Sequence, residues 1–124
     1  RGAGQPWAVS SLAQAAGLAV LSSEEERSAY LEATVRHISR ERARMEKEMK
    51  NLGFPVVPGA ANYILFQAPP ELGALLLAKG FALRDCSDYR GLCAEQSVFY
   101  RAAVKGTEEN RLLLQAMKEC VGWQ

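Results

Sequence analysis

The chain has 124 residues, of which 48% are hydrophobic, enough for one globular domain built on a single core. Lys and Arg number 15 against 14 Asp and Glu, a formal net charge of +1, so no global field draws it to nucleic acid or an anionic membrane, and any anion site must be local. No apolar run reaches the roughly 18 residues of a membrane span, and Cys86, Cys93 and Cys120 have neither zinc spacing nor a CxxC pattern, which fits a reducing cytoplasm.

The opening Arg1-Gly2-Ala3-Gly4 carries no initiator methionine and reads as a connector, so the chain is expected to be a piece of a longer protein. Pro6 stands where a first helical turn could begin, and Val9, Leu12, Ala13, Ala16, Ala19 and Val20 recur at helical spacing. With almost no charge from Val9 to Leu21, this helix is expected to be buried on most of its circumference, against something outside the chain. The same stretch is interrupted by Ser10, Ser11, Gln14 and Gly17 and lacks the basic flank and cleavage pattern of a signal peptide.

Ser22 and Ser23, each with a glutamate three residues on, form two overlapping capping boxes that start a second helix. Leu31, Val35, Ile38, Met45, Met49 and Leu52 continue it by threes and fours, with Arg42 breaking the apolar row, until Gly53 stops it. About thirty residues of helix span about 45 Å. That is too long to pack along a domain this small, so the helix is expected to bridge from a neighbouring domain; a coiled coil is the alternative, with only about three heptads to support it.

Beyond Gly53 the period changes. Phe54 to Gly59 reads as an extended edge segment, and Tyr63-Ile64-Leu65-Phe66 as a buried strand. Pro69 and Pro70 end that strand, and Glu71 to Lys79 forms a short helix closed by Gly80. Phe81 to Arg84 is a third extended run, Asp85 to Gln96 a polar loop, and Ser97 to Val104 a fourth run. Thr107 is expected to cap the last helix, with Leu112, Leu113, Ala116, Met117 and Cys120 as its apolar stripe. The order helix, long helix, strand, strand, helix, strand, strand, helix predicts an α+β fold with helices layered on one side of a small sheet.

Two arginines are candidates for chemistry. Arg101 sits within an otherwise apolar strand, and its planar fork matches a carboxylate or phosphate; the bland alternative is a solvated arginine on the wet face of an edge strand. Arg84 ends the preceding strand beside Asp85, where a local ion pair is the bland alternative. Arg36, Arg40 and Arg44 resemble a nucleic-acid stripe, but Glu32, Glu41, Glu46 and Glu48 interleave with them and favour a solvated, ion-paired face. His37, the one histidine, has no clustered second ligand and reads as a surface or half-buried helix residue. Cys86 and Cys93 flank the polar loop; a reactive thiol there needs a positive environment, which Arg84 or Arg90 could provide, but plain cysteines are the preferred reading. No GxGxxG, Walker A or GxSxG pattern occurs.

Taken in order, Gly4-Gln5-Pro6-Trp7-Ala8-Val9-Ser10-Ser11-Leu12-Ala13, Pro58-Gly59-Ala60-Ala61-Asn62-Tyr63-Ile64-Leu65, Leu83-Arg84-Asp85-Cys86-Ser87-Asp88-Tyr89-Arg90-Gly91-Leu92, and Phe99-Tyr100-Arg101-Ala102-Ala103-Val104 through Thr107-Glu108-Glu109-Asn110 resemble the C-terminal part of histidinol-phosphate aminotransferases and threonine-phosphate decarboxylases. Gln5-Pro6-Trp7 and the Cys86 to Leu92 run look more like the decarboxylases.

This resemblance implies the small C-terminal domain of a fold type I pyridoxal-phosphate (PLP) enzyme. Residues 1–22 would then be a connector and helix meeting an absent large domain, residues 23–124 the small domain with its linking helix, and the intact protein a cytoplasmic homodimer. It implies that Arg101 grips the substrate α-carboxylate and Arg84 the substrate phosphate. The loop between them is longer than in the family pattern, which leaves the pose of Arg84 less defined than that of Arg101. The cofactor-anchoring lysine is expected outside the chain, so that no catalytic or cofactor-binding residue falls to Lys47, Lys50, Lys79, Lys105 or Lys118. The implied reaction is decarboxylation of L-threonine O-3-phosphate in cobalamin biosynthesis, with PLP as electron sink. Transamination of histidinol phosphate is the alternative within the superfamily, and a noncatalytic helical interaction module the alternative outside it.

Overall fold

A computed structural model describes residues 9–92 and 97–122; the Gln5-Pro6-Trp7 run, the expected helix start at Pro6, and Cys93 lie outside the described residues. The elements follow the expected order: α1 (Ser11–Leu21), α2 (Glu24–Asn51), β1 (Val56–Val57), β2 (Tyr63–Ala68), α3 (Glu71–Ala78), β3 (Arg84–Asp85), β4 (Val98–Ala103) and α4 (Thr107–Val121). The chain divides into two compact units, residues 1–36 and 37–124, with the division falling inside α2.

In the first unit, the Ser10 hydroxyl caps α1 by accepting from the Ala13 N–H at 3.2 Å. None of α1 is buried within this chain, and Leu12, Leu18 and Val20 are open to solvent. Only one of the two expected caps of α2 forms. Ser23 accepts from the Glu26 N–H, whereas the Ser22 hydroxyl turns back to donate to the Ala19 carbonyl and closes α1 instead. The apolar seam predicted along α2 is buried only in its second half: Met45 and Met49 are in the core, and Leu31 and Val35 are exposed. Gly53 ends the helix at φ +87°, a conformation that a side chain would strain.

The second unit is a four-stranded antiparallel sheet in the order β1-β2-β4-β3. Burial alternates strictly along β2, with Ile64, Phe66 and Ala68 buried and Tyr63, Leu65 and Gln67 half-buried. The continuous apolar run was expected to be a buried strand; in the antiparallel sheet only one of its faces is buried, and the residues of the other are half-buried. Tyr100 and Ala102 of β4 share the covered face, where they pack with Met45 and Met49 of α2, Leu72 and Leu76 of α3, and Leu113 and Met117 of α4. The fold is therefore α+β, with helices on one side of a small sheet. Gly73 of α3 lets the Tyr100 ring pass, since an added Cβ would meet the hydroxyl at 3.0 Å, and that hydroxyl donates to the Pro70 carbonyl.

Helix α4 departs from expectation in two places. Gly106 is its N-cap and Thr107 its first helical residue, and Glu109 reaches back to accept the Gly106 N–H. Its buried stripe runs through Asn110, Leu113, Leu114, Ala116, Met117 and Cys120, while Leu112 faces solvent.

Candidate substrate-binding site

Strand register brings the two candidate arginines together. Arg84 of β3 pairs directly with Arg101 of β4, and Leu65 of β2 flanks Arg101 on its other side. Both arginines therefore point to the uncovered face of the sheet. Two like charges directly opposite each other cost stability unless other groups offset them.

The surrounding residues offset them in part. The Arg101 Cζ sits 3.9 Å from the centroid of the Tyr63 ring, a close cation–π stack, and its Nη1 lies 3.5 Å from the Tyr89 hydroxyl. Its Nε is buried and has no hydrogen-bond partner among the described residues. Arg84 donates to Asp88 at 2.9 Å and lies 5.7 Å from the Tyr89 ring. The Tyr89 hydroxyl first, and then the Asp88 carboxylate, hold Arg84 more firmly protonated than an ordinary guanidinium. Asp85, expected as the local partner of Arg84, instead accepts the Ser87 N–H at 2.8 Å; that bond lowers its pKa. Arg84 and Asp88 are both well exposed, so their ion pair adds little stability and opens readily to a competing anion.

The other candidates do not join this cluster. Burial pushes the Cys86 thiol above its ordinary range in spite of Arg101 and Arg84, which keeps it protonated and unreactive. His37 is half-buried, with its Nε2 at 2.9 Å from the Lys105 carbonyl. The expected solvated face of α2 is only partly so: Arg36 pairs with Glu32 in solvent, but Glu41 is buried, held by Arg44 at 2.7 Å and by the Asn110 amide at 3.0 Å. Arg42 is buried too, pairing with Glu46 and donating to the carbonyls of Ala61 and Tyr63. Among the described residues no group of three His, Cys, Asp or Glu could hold a metal, and no helix is long and apolar enough to cross a membrane.

The side chains around the two arginines suit a grip for acidic groups. Tyr63, Tyr89 and Asp88 are the groups around the arginines, while Lys79 pairs with Glu119, Lys105 with Glu109, and Lys47, Lys50 and Lys118 stand exposed on α2 and α4. An apolar cleft of about 450 Å³ beside Phe54, Leu72 and Leu75 shares no lining residue with the arginines and offers few polar groups to orient a substrate. Tyr63, Tyr89 and Asp88 were missed as site residues. Tyr63 carried a signal, since it stands two residues from Leu65 on one strand face, but which strand lies beside it depends on long-range pairing.

Comparison with known proteins agrees with this architecture. The aminotransferase class I and II profile matches residues 1–115, and the chain belongs to this family of pyridoxal-phosphate-dependent enzymes. It is 36% identical over 98% of its length to histidinol-phosphate aminotransferase 1 of Archaeoglobus fulgidus, of which it covers 36%. It is 29% identical over 92% of its length to a protein named as a threonine-phosphate decarboxylase in Caldanaerobacter subterraneus subsp. tengcongensis, of which it covers 30%. The crystal structure of the histidinol-phosphate aminotransferase from Clostridium acetobutylicum superposes with a TM-score of 0.66 at 26% identity, over 77% of this chain and 29% of that one. The chain thus spans about a third of the length of the relatives it matches.

Proposed function

We propose that this chain is the substrate-gripping small domain of a PLP-dependent enzyme that decarboxylates L-threonine O-3-phosphate to aminopropanol phosphate. The observation that carries the reading is the direct pairing of Arg84 with Arg101 on the open sheet face. Two permanently charged forks side by side suit a substrate with two acidic groups, and threonine phosphate has a carboxylate and a phosphate. Arg101, flanked by two tyrosines and half-buried, takes the carboxylate; Arg84, exposed and held by a displaceable Asp88, takes the phosphate.

Pyridoxal phosphate supplies the electron sink in this family, and its covalent anchor is assigned to a larger domain outside this chain. The work of the chain's own residues is orientation. Holding the substrate at both acidic ends leaves the Cα substituents little freedom to rotate, which selects the bond presented for cleavage. Residues 1–22 serve the contact with that larger domain, the intact protein acts as a cytoplasmic homodimer, and its product enters cobalamin biosynthesis.

Transamination of histidinol phosphate is the second reading, favoured by the 36% identity to the Archaeoglobus fulgidus aminotransferase. Product analysis of the intact enzyme separates the two. Release of carbon dioxide and aminopropanol phosphate from L-threonine O-3-phosphate supports the decarboxylase, and amino transfer from histidinol phosphate without that release overturns it.

A further inference from the structure

The stack between Arg101 and Tyr63 puts an aromatic face against a charge that is meant for a ligand. A guanidinium tethered only through its side chain is free to swing, and a bidentate grip works only when the fork lies in one plane. Three observations show how that freedom is removed. Leu65, two residues beyond Tyr63, pairs with Arg101, which puts the Tyr63 ring diagonally next to Arg101 on the open face. The ring centroid is 3.9 Å from Arg101 Cζ, and Arg101 Nε is shut off from solvent without a partner among the described residues, so the terminal nitrogens, of which Nη1 makes only a 3.5 Å contact with Tyr89, are the ones to meet a ligand. The Tyr63 backbone is fixed from the opposite side of the sheet, where buried Arg42 of α2 donates to its carbonyl, and in the ladder it pairs with Ala103.

We propose that Tyr63 is a positioning residue that sets the plane of the Arg101 guanidinium through the face of its ring, and so determines affinity for the carboxylate end of the substrate. This rests on the carboxylate role of Arg101. The ring does this by stacking, so Tyr63→Phe keeps the function and Tyr63→Leu loses it. The phosphate end, held by Arg84, does not depend on Tyr63.

The test uses the holoenzyme and two ligands measured by calorimetry: L-threonine O-3-phosphate, which has both acidic groups, and phosphoethanolamine, which lacks the carboxylate. Tyr63→Phe is expected to bind both as the parent does. Tyr63→Leu is expected to bind threonine phosphate about 3- to 30-fold more weakly, the range of a cation–π contact, and phosphoethanolamine unchanged. In an Arg101→Lys background, Tyr63→Leu is expected to add no further loss. Equal weakening of both ligands, or the same added loss in the lysine background, overturns the proposal. If Arg101→Lys itself leaves threonine phosphate affinity intact, the carboxylate reading fails and the proposal with it; if Arg101→Lys weakens binding and Tyr63→Leu does not, the proposal alone fails. Should the leucine variant not fold, the parent still decides: nitrogen NMR should show the Arg101 Nε–H displaced upfield by the ring and protected from exchange, and a resonance at the ordinary arginine position overturns the stack in solution.

Discussion

Arg101→Lys keeps the charge but removes the planar fork, so it separates a carboxylate grip from a solvated strand arginine. In the intact enzyme it is expected to weaken use of any amino-acid substrate, phosphorylated or not. Arg84→Ala is expected to impair the phosphorylated substrate far more than an unphosphorylated analogue. Loss of one charge-assisted contact is worth roughly 1.5–3 kcal/mol, about ten- to a hundredfold in kcat/KM. Steady-state kinetics on both substrate types checks this, and equal losses for both mutants would remove the division of labour. Both arginines were legible in the sequence as charges in strand positions, but their neighbours were not. Asp85 looked like the partner of Arg84 because it is adjacent in sequence, yet adjacent strand residues point to opposite faces. The turn at residues 86–91 brings Asp88 round instead.

At the scale of elements, the order and type of the eight described were readable from periodicity and breakers, while their burial was readable only in part. Helical spacing places Leu31 and Val35 on a seam with Met45 and Met49, but only Met45 and Met49 are buried in the core with the sheet residues, and Leu31 and Val35 are exposed. The polar counterpart is Glu41, which charge patterning placed on a wet face and which in fact joins α2 to the start of α4. Hydrogen bonds from Arg44 and then Asn110 hold its carboxyl down at about 2 against an ordinary 4.5. Asn110 also accepts the Lys105 N–H and donates to the Lys105 carbonyl, so the loop that leaves β4 is tied to the same point. Because the folded pKa is depressed, the stabilisation from Glu41 is fully present above about pH 4.5 and is lost as pH falls towards about 2. Glu41→Gln is expected to flatten the acid unfolding curve across that window. At neutral pH it should cost about 1–3 kcal/mol, since Arg44 and Asn110 lose a charged acceptor. Denaturant titrations at a series of pH values measure both effects.

At the scale of the whole molecule, the chain is expected to hold no PLP covalently on its own, because the reading proposed above assigns the covalent anchor to a larger domain; Lys79 and Lys105 are paired with Glu119 and Glu109. Incubation with PLP, borohydride reduction and peptide mapping should give scattered, substoichiometric lysine adducts. One stoichiometric adduct accompanied by turnover would show that the anchor lies within the chain.

The first helix leads to a different prediction. A helix that is apolar around its circumference is normally buried, and the sequence led to the expectation of a covering partner from outside the chain. Among the described residues none of α1 is buried: Leu12 is 84% exposed, Leu18 74% and Val20 71%. Burying one such side chain is worth roughly 1.5–3 kcal/mol, and contiguous apolar surface of this kind seldom stays in water. Produced alone, residues 1–124 are therefore expected to self-associate through α1. Sedimentation should show a concentration-dependent assembly, and Leu18→Glu should shift it to monomer. Unfolding of the sheet-bearing unit, residues 37–124, should be unchanged by that substitution, because the core described for that unit is built from its own residues. A strict monomer at high concentration, with α1 amides protected from hydrogen exchange as strongly as those of β2, would mean that the helix finds its cover within its own chain and has no need of a larger domain.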